Sequence, residues 1–392
     1  FCLSRGLGDV YKRQTWSRAC SFRYPLCMRI APGTASSFAA AALAAAQRAW
    51  EALTGVLTLP PPEGDLEVGW TVYLVDGVDG GGDARLAGRD PRARFDRGAS
   101  FGVVDRTTPS GCALDLALAR AVARGVLWGA APATDEGSAR AETEAIARLA
   151  TPCSAGAADD ARFQAQPERA IVDPTSRAFD RGASLFFDWI DTRFGREPGG
   201  LIAGLWALAA TRTPPASPRW AGKPNGFDVL RVSLKDALWP GSTLDDVFVR
   251  FAVDRALGLT PQAPRFDWRI PWPFGARRLA AAAPTAPTAA SYVLVSREGA
   301  PGGSKLRVEA RWEDYARMRW VVVKLDSAGH SLGELPVASL DRGTNASLTI
   351  ESLDGAANVL VVGVNVGSTE RAFDPDQGEW EPHGWLLTLE GE

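Results

Sequence analysis

Histidine is nearly missing from this chain. Its 392 residues hold two, His330 and His383, both within the last hundred positions. That scarcity removes, from everything upstream, the imidazole pairs on which catalytic zinc sites are built. Cysteine is also sparse. Besides Cys2 there are Cys20, Cys27, Cys112 and Cys153, none in C-x-x-C spacing and none near a His, which excludes a zinc knuckle. No stretch approaches the roughly 18 apolar residues of a membrane span. The G-x-S-x-G, P-loop and dinucleotide fingerprints are absent, so nucleophile and nucleotide enzymes have no motif here. Charge of one sign is lacking too: 43 Lys and Arg stand against 46 Asp and Glu, a net −3. Nothing in that balance composes a basic surface for nucleic acid.

What is present is ordinary globular material, 46% hydrophobic and 23% charged, in a length that suggests two or three domains. The heavy use of Ala, Arg, Gly and Pro is that of a GC-rich bacterial genome. The start is foreign: Ser4 to Gln14 (SRGLGDVYKRQ) resembles the translation of a transposase-based sequencing adapter. A natural polar tail is the alternative. Residues 1–14 are set aside as not native. They carry Arg5, Lys12 and Arg13 against Asp9, or +2, which leaves about −5 for the rest. A signal peptide standing before Thr15 would have been lost with them.

Ser36 to Leu53 reads as a helix capped by Ser36 or Ser37, Trp70 to Val75 as a strand, and Ser100 to Val104 as a second strand beyond a Gly/Asp loop. Ala113 to Trp128 is a helix whose Leu114, Leu118, Val122 and Val126 form one buried stripe. The stripe is expected to pack on Leu185, Phe186, Trp189 and Ile190 of a helix from Arg181 to Phe194, closed by Gly195. Thr134 or Asp135 caps the helix in between, which stops before Pro152. Further helices are predicted over 201–210, 227–238 and 244–257, the last capped by Thr243. The hexapeptide FDRGAS occurs at Phe95 and Phe179 but enters a strand once and a helix once, so no repeat follows. Residues 261–290 are rich in Pro and Ala and read as a linker. Over 291–392 the pattern turns to period two, and SYVLVS, KLRVEARW, RWVVVKL, SLTIES, NVLVVGVNV and GWLLTLE predict a β-sandwich of immunoglobulin-like type.

Four cysteines permit two disulfides and hence an oxidising compartment, the alternative being four buried thiols in a cytoplasmic protein. Cys112 precedes one helix and Cys153 follows the next. A short loop makes these helices antiparallel and brings those ends together, so Cys112 with Cys153 is the expected pair and Cys20 with Cys27 the remaining one.

Asp135-Glu136-Gly137-Ser138-Ala139, with Glu142 on the same helix, follows a strand–loop–strand–helix series. Gly182 to Phe187 and Phe194-Gly195 come after it. In this order, over roughly 36–258, the chain resembles the gluzincin (peptidase MA-like) group of zinc metallopeptidases. The resemblance implies an α+β architecture: a zincin-like, mainly helical domain with a small mixed sheet over 15–260, followed by the sandwich. It also implies that Glu136 is the remnant of a metal ligand, with Glu142 beside it. The departure is at the helix that should carry His-Glu-x-x-His. That helix reads ALDLALARAVARGVLW and places Arg120 and Arg124 at the i, i+4 spacing of the two ligands. A positive pair repels a divalent cation, so no metal and no cofactor are expected. Arg124, or else Arg120, is expected to reach across to Glu136. Acidic charge in a helix's first turn explains Glu136 and Glu142 without any ancestry, and solvated arginines beside a buried stripe explain the other two.

Two functions follow. One is an exported, non-catalytic binding protein, periplasmic or extracellular, with a protein or cell-envelope ligand as partner, no nucleic acid and no membrane span. The other is a hydrolase using Asp135, Glu136 and Glu142 without a His ligand. Asp374-Pro375-Asp376 with Gly378 and Glu379 is similar to a calcium loop, though a plain acidic turn suffices. Asn345-Ala346-Ser347 fits a glycosylation acceptor that has no weight in a bacterial protein.

Overall fold

The computed structural model describes residues 16–64, 68–79, 81–89, 98–151, 153, 157–173, 177–211, 225–234, 238–339, 343–368 and 381–392. The adapter-like segment, the first FDRGAS hexapeptide up to Arg97 and the acidic turn at 374–379 lie outside the described residues. By internal contacts the chain divides into two units, Phe1–Ala157 with Phe187–Leu230, and Ala158–Phe186 with Arg231–Glu392.

In the first unit, strict alternation in WTVYLV buries Trp70, Val72 and Leu74 and sets β3 (Trp70–Val75) at the centre of a five-stranded mixed sheet. The order is β1 (Ser17–Cys20), β2 (Leu26–Ile30), β3, β5 (Gly98–Asp105) and β4 (Gly82–Arg89). β2, β3 and β5 are parallel, while β1 and β4 pair antiparallel at the edges. β4 is unforeseen because an edge strand with a wet face needs no apolar run. Alanine-rich α1 (Ser36–Trp50) starts at Ala35 without a side-chain cap, so neither Ser36 nor Ser37 plays that part, and it continues into a π-helical turn, Glu51–Val56. α2 (Cys112–Ala130) buries its whole predicted stripe and packs on α1, β4 and β5. Its approach to β4 is so close that a Cβ on Gly82 would stand 1.9 Å from the Ala117 carbonyl oxygen. α3 (Glu136–Leu149) begins at Asp135, whose carboxylate accepts the Ser138 N–H at 2.9 Å.

The single helix expected from Arg181 to Phe194 is two helices. In chain order after α3 come α4 (Ala157–Ala165), α5 (Arg177–Gly182), α6 (Ser184–Phe194) and α7 (Gly200–Thr211), the last packed on α2. Leu185, Phe186, Trp189 and Ile190 are all buried. Phe186, expected against the α2 stripe, sets its ring on Phe248 and Phe251 at 5.9 and 5.1 Å in the second unit. Gly195 is not the left-handed stop: Gly199 holds that conformation at φ +79°. α8 (Gly226–Ser233) takes up the first part of the helix predicted over 227–238, of which 235–237 lie outside the described residues, and α9 (Leu244–Ala256) opens with a full capping box between Thr243 and Asp246.

The remainder of the second unit is a sandwich. One sheet runs β11 (Ser331–Pro336), β10 (Ala316–Leu325), β14 (Asn358–Ser368), β8 (Ala290–Ser296), β6 (Trp268–Ile270). The other runs β12 (Ala338–Ser339), β13 (Asn345–Ile350), β9 (Leu306–Trp312), β15 (Trp385–Gly391). One buried cluster joins their inward faces, with Val293, Val322 and Val361 from the first and Val308, Ile350 and Leu387 from the second.

Two expectations fail here. Residues 261–290 are no linker. They supply β6 and also β7 (Gly275–Ala280), which runs along β15, and they put Ile270, Trp272 and Leu279 into the sandwich core. Pro271 and Pro273, which lie between the two strands, and the few apolar residues of each strand hid them. The strand order is also not that of an immunoglobulin, in which strands one, two, five and four share one sheet and three, six and seven the other. Counting β8, β9, β10, β11, β13, β14 and β15 as one to seven, the first, sixth, third and fourth share a sheet. The second lies between the fifth and seventh. With β7 beside β15 this is the two-Greek-key order of a jelly roll. Period-two patterning reports which side of a strand is buried, not which strand is its neighbour.

Candidate functional site

The predicted site residues converge where α2 and α3 lie antiparallel. α2 has no polar cap, and its Ala, Leu and Val residues are buried so thoroughly that the two guanidinia it carries are drawn in with them. Arg124 keeps 5% of its side chain exposed and Arg120 13%. Solvated arginines they are not. Each meets a carboxylate of α3. Arg124 Nη2 donates to Glu136 Oε2 at 2.6 Å, and Arg120 Nη2 donates to Glu144 Oε1 at 2.8 Å.

The expected contact between Arg124 and Glu136 is therefore present, with its roles exchanged. Glu136 is 45% exposed, so the buried member is the arginine. The contact is also single, not bidentate: Arg140 Nε donates to the other Glu136 oxygen at 2.8 Å. Arg124 further lies over the Trp128 ring at 4.9 Å, and Trp128 Nε1 donates to the Ala84 carbonyl on β4. Glu144, which sequence reasoning passed over, is the deeper anchor at 1% exposure, held by Arg120 and by Arg148 one helical turn on. Its signal was available. On antiparallel helices a second arginine four residues before Arg124 calls for a second acid farther along α3.

Glu142 is different in kind. It is buried without an arginine contact; Trp206 Nε1 of α7 donates to its Oε2 at 2.6 Å. Gly226 presses against it, so that a Cβ there would lie 2.3 Å from Oε1. Burial pushes the Glu142 carboxyl up to about 8, helped by the Asp135 charge and opposed by the Trp206 hydrogen bond and Arg124. Asp135 is also raised, by burial, against the pull of the Ser138 hydroxyl and amide. At neutral pH Glu142 is thus a carboxylic acid, a weak metal donor.

These residues do not fit the zinc ion that the resemblance implies. The two ligand positions on α2 are cations already paired with carboxylates, and buried Glu142 holds its proton. Among the described residues no group of three or more His, Cys, Asp or Glu side chains could hold a metal ion. His330 and His383 belong to the second unit, where they meet Asp326 and Glu313.

Both expected cysteine pairs are bonded. Cys112–Cys153 has Cα atoms 5.6 Å apart, and Cys20–Cys27 closes the β1–β2 turn. Two disulfides fit an exported protein. Among the described residues no helix is long and apolar enough to cross a membrane.

By fold and site the molecule is an α+β protein: a mixed-sheet and helix unit whose core is cross-braced by arginine–carboxylate pairs, and a second unit built on a jelly-roll sandwich. No known protein family matches the chain, and no curated protein matches it. Among solved structures it has a likeness to the pre-peptidase C-terminal domain of collagenase from Bacillus anthracis. The identity is 8%, over 33% of this chain and 100% of that one, with a TM-score of 0.21. Another is to the enzymatically active domain of tailspike protein 4 of bacteriophage CBA120, at 10% identity over 29% of this chain and 15% of that one, TM-score 0.20. A structure described under "CBM4 structure and function" shares 14% identity over 30% of this chain and 82% of that one, TM-score 0.17. At such TM-scores these likenesses carry no argument.

Proposed function

We propose that this chain is an exported, non-catalytic protein of zincin-like, gluzincin layout that acts by binding. The observation that carries the reading is the pairing of Arg120 with Glu144 and Arg124 with Glu136. The i, i+4 positions at which that layout would present metal ligands hold the two cations that brace α2 to α3. A mixed sheet before α2 and the Asp135-capped helix opening Glu136-Gly137 support the same layout. The disulfides support export.

A specific observation favours the second reading, a hydrolase without His. Asp135 and Glu142 are two carboxyls raised by burial, and the Asp135 charge helps to raise Glu142, a pattern that candidate acid–base sites share. Against it stands access, because Glu142 is buried behind Gly226 and Trp206. Prolonged incubation of the full chain with unstructured peptides, with and without added zinc, decides between them. Binding without chemistry predicts no cleavage in either condition. Cleavage that disappears in Glu142→Gln would establish the hydrolase.

A further inference from the structure

We infer that the β6–β7 edge of the sandwich is a binding site for an acidic polysaccharide bearing uronate carboxylates. This segment turns a corner between the two sheets. β6 pairs with β8, β7 runs along β15, and Trp268 Nε1 donates to the Ala280 carbonyl at 2.8 Å, which brings the start of one strand to the end of the other. Trp272 and Leu279 point inward to the core, so the corner is fixed. The side chains it leaves outside are unusual in combination. Phe274 is 72% exposed and Trp268 38%, large apolar surfaces with no cover. On the same segment Arg269, Arg277 and Arg278 are exposed, and none has a carboxylate partner among the described residues.

What distinguishes this edge is that lack of partners together with two exposed aromatic rings. Several other arginines of this unit do have carboxylate partners: Arg250 with Glu334, Arg265 with Glu168, Arg307 with Glu309, Arg317 with Asp245. Three unmatched guanidinia on one short segment make a site for an anion with planar, bidentate carboxylates. Arg269 is already held in place by stacking on Phe266, with its carbon 4.1 Å from the ring centre. Exposed rings on the same segment suit a partner that offers flat C–H surfaces as well as charge. A uronate chain presents both at each residue, whereas an acidic peptide presents charge without the flat face. A single-stranded nucleic acid would also satisfy rings and arginines. Two disulfides, however, fit a compartment in which the long polyanions are glycans. The inference stands on the second unit and is independent of whether α2 and α3 hold a catalytic site.

The test is calorimetric titration of the full chain with polygalacturonate and with alginate, using dextran and oligo(dT) for comparison. Binding of at least one polyuronate, weakened by salt, is expected, with none to dextran and weaker binding to oligo(dT). Arg277→Gln with Arg278→Gln should weaken binding about tenfold or more and flatten the salt dependence. Phe274→Ala should weaken it while leaving the salt dependence intact, and Arg311→Gln, on the β9 face, should change nothing. Because all these positions are exposed, an unchanged melting temperature separates lost binding from lost folding. Failure of both polyuronates to bind, tighter binding of oligo(dT), or a double arginine variant that binds as the natural chain does would overturn the inference.

Discussion

Glu144 and Glu142 are two residues apart on α3 and meet opposite solutions to the same burial. Glu144 is clasped by Arg120 and Arg148, so replacing it strands two part-buried guanidinia. Glu144→Gln should cost about 3 kcal/mol in urea unfolding, the scale of a broken buried pair. Arg48→Gln, which breaks the exposed pair with Asp115, should cost under about 1 kcal/mol. Glu142 instead keeps its proton up to about pH 8. Between its ordinary range near 4.5 and that value the folded chain holds a proton that the unfolded chain has released. Stability attributable to this group therefore falls as pH rises, by at most roughly 1.4 kcal/mol per pH unit. Glu142→Gln should remove that slope. The variant should gain stability relative to the natural chain from pH 5 to pH 8, and a difference independent of pH would show that Glu142 is ionised in the fold. Of the four site residues named from sequence, Arg120 and Arg124 are set toward α3 by the resemblance, whereas the local pattern alone reads them as solvated. Whether an acid there is paired, protonated or wet depends on Trp206 and Gly226, which arrive from sixty or more residues away and leave no mark on the local pattern.

Among the elements, those with a strong period were readable and those at edges were not. The stripe of Leu114, Leu118, Val122 and Val126 and the alternation of WTVYLV specify α2 and β3 outright. β4, β6, β7, β11 and β12 are short or wet on one side, and their apolar residues are too few to set a period. The β6–β7 segment is where that blindness matters most, since a linker and a closing edge of the sandwich have different energetics. Trp272→Ala should cost about 3–5 kcal/mol if the ring fills the core as observed. A loss below about 0.5 kcal/mol, the usual effect at a surface position, would return the segment to a linker. Chemical denaturation followed by tryptophan-independent circular dichroism reads the difference.

At the scale of the molecule, the two disulfides both lie in the first unit and close loops of very different size. Cys112–Cys153 spans 41 residues and Cys20–Cys27 seven, so chain entropy gives about 4 kcal/mol for the first and about 2.4 for the second. Cys112→Ser with Cys153→Ser should accordingly destabilise the first unit more than Cys20→Ser with Cys27→Ser. Cysteine count and helix order made both pairs legible. The relation of jelly-roll strand order to an immunoglobulin order was not, because neighbours are chosen by connections rather than by faces. The central claim is that arginine–carboxylate pairs between α2 and α3 stand where the zincin layout would place a metal. Its most direct test is equilibrium dialysis of the full chain against zinc at neutral pH, followed by elemental analysis of the natural protein and of Glu136→Gln. The ion pairs predict no stoichiometric zinc in the natural protein and no difference in the variant. One zinc per chain that is lost in Glu136→Gln would contradict them.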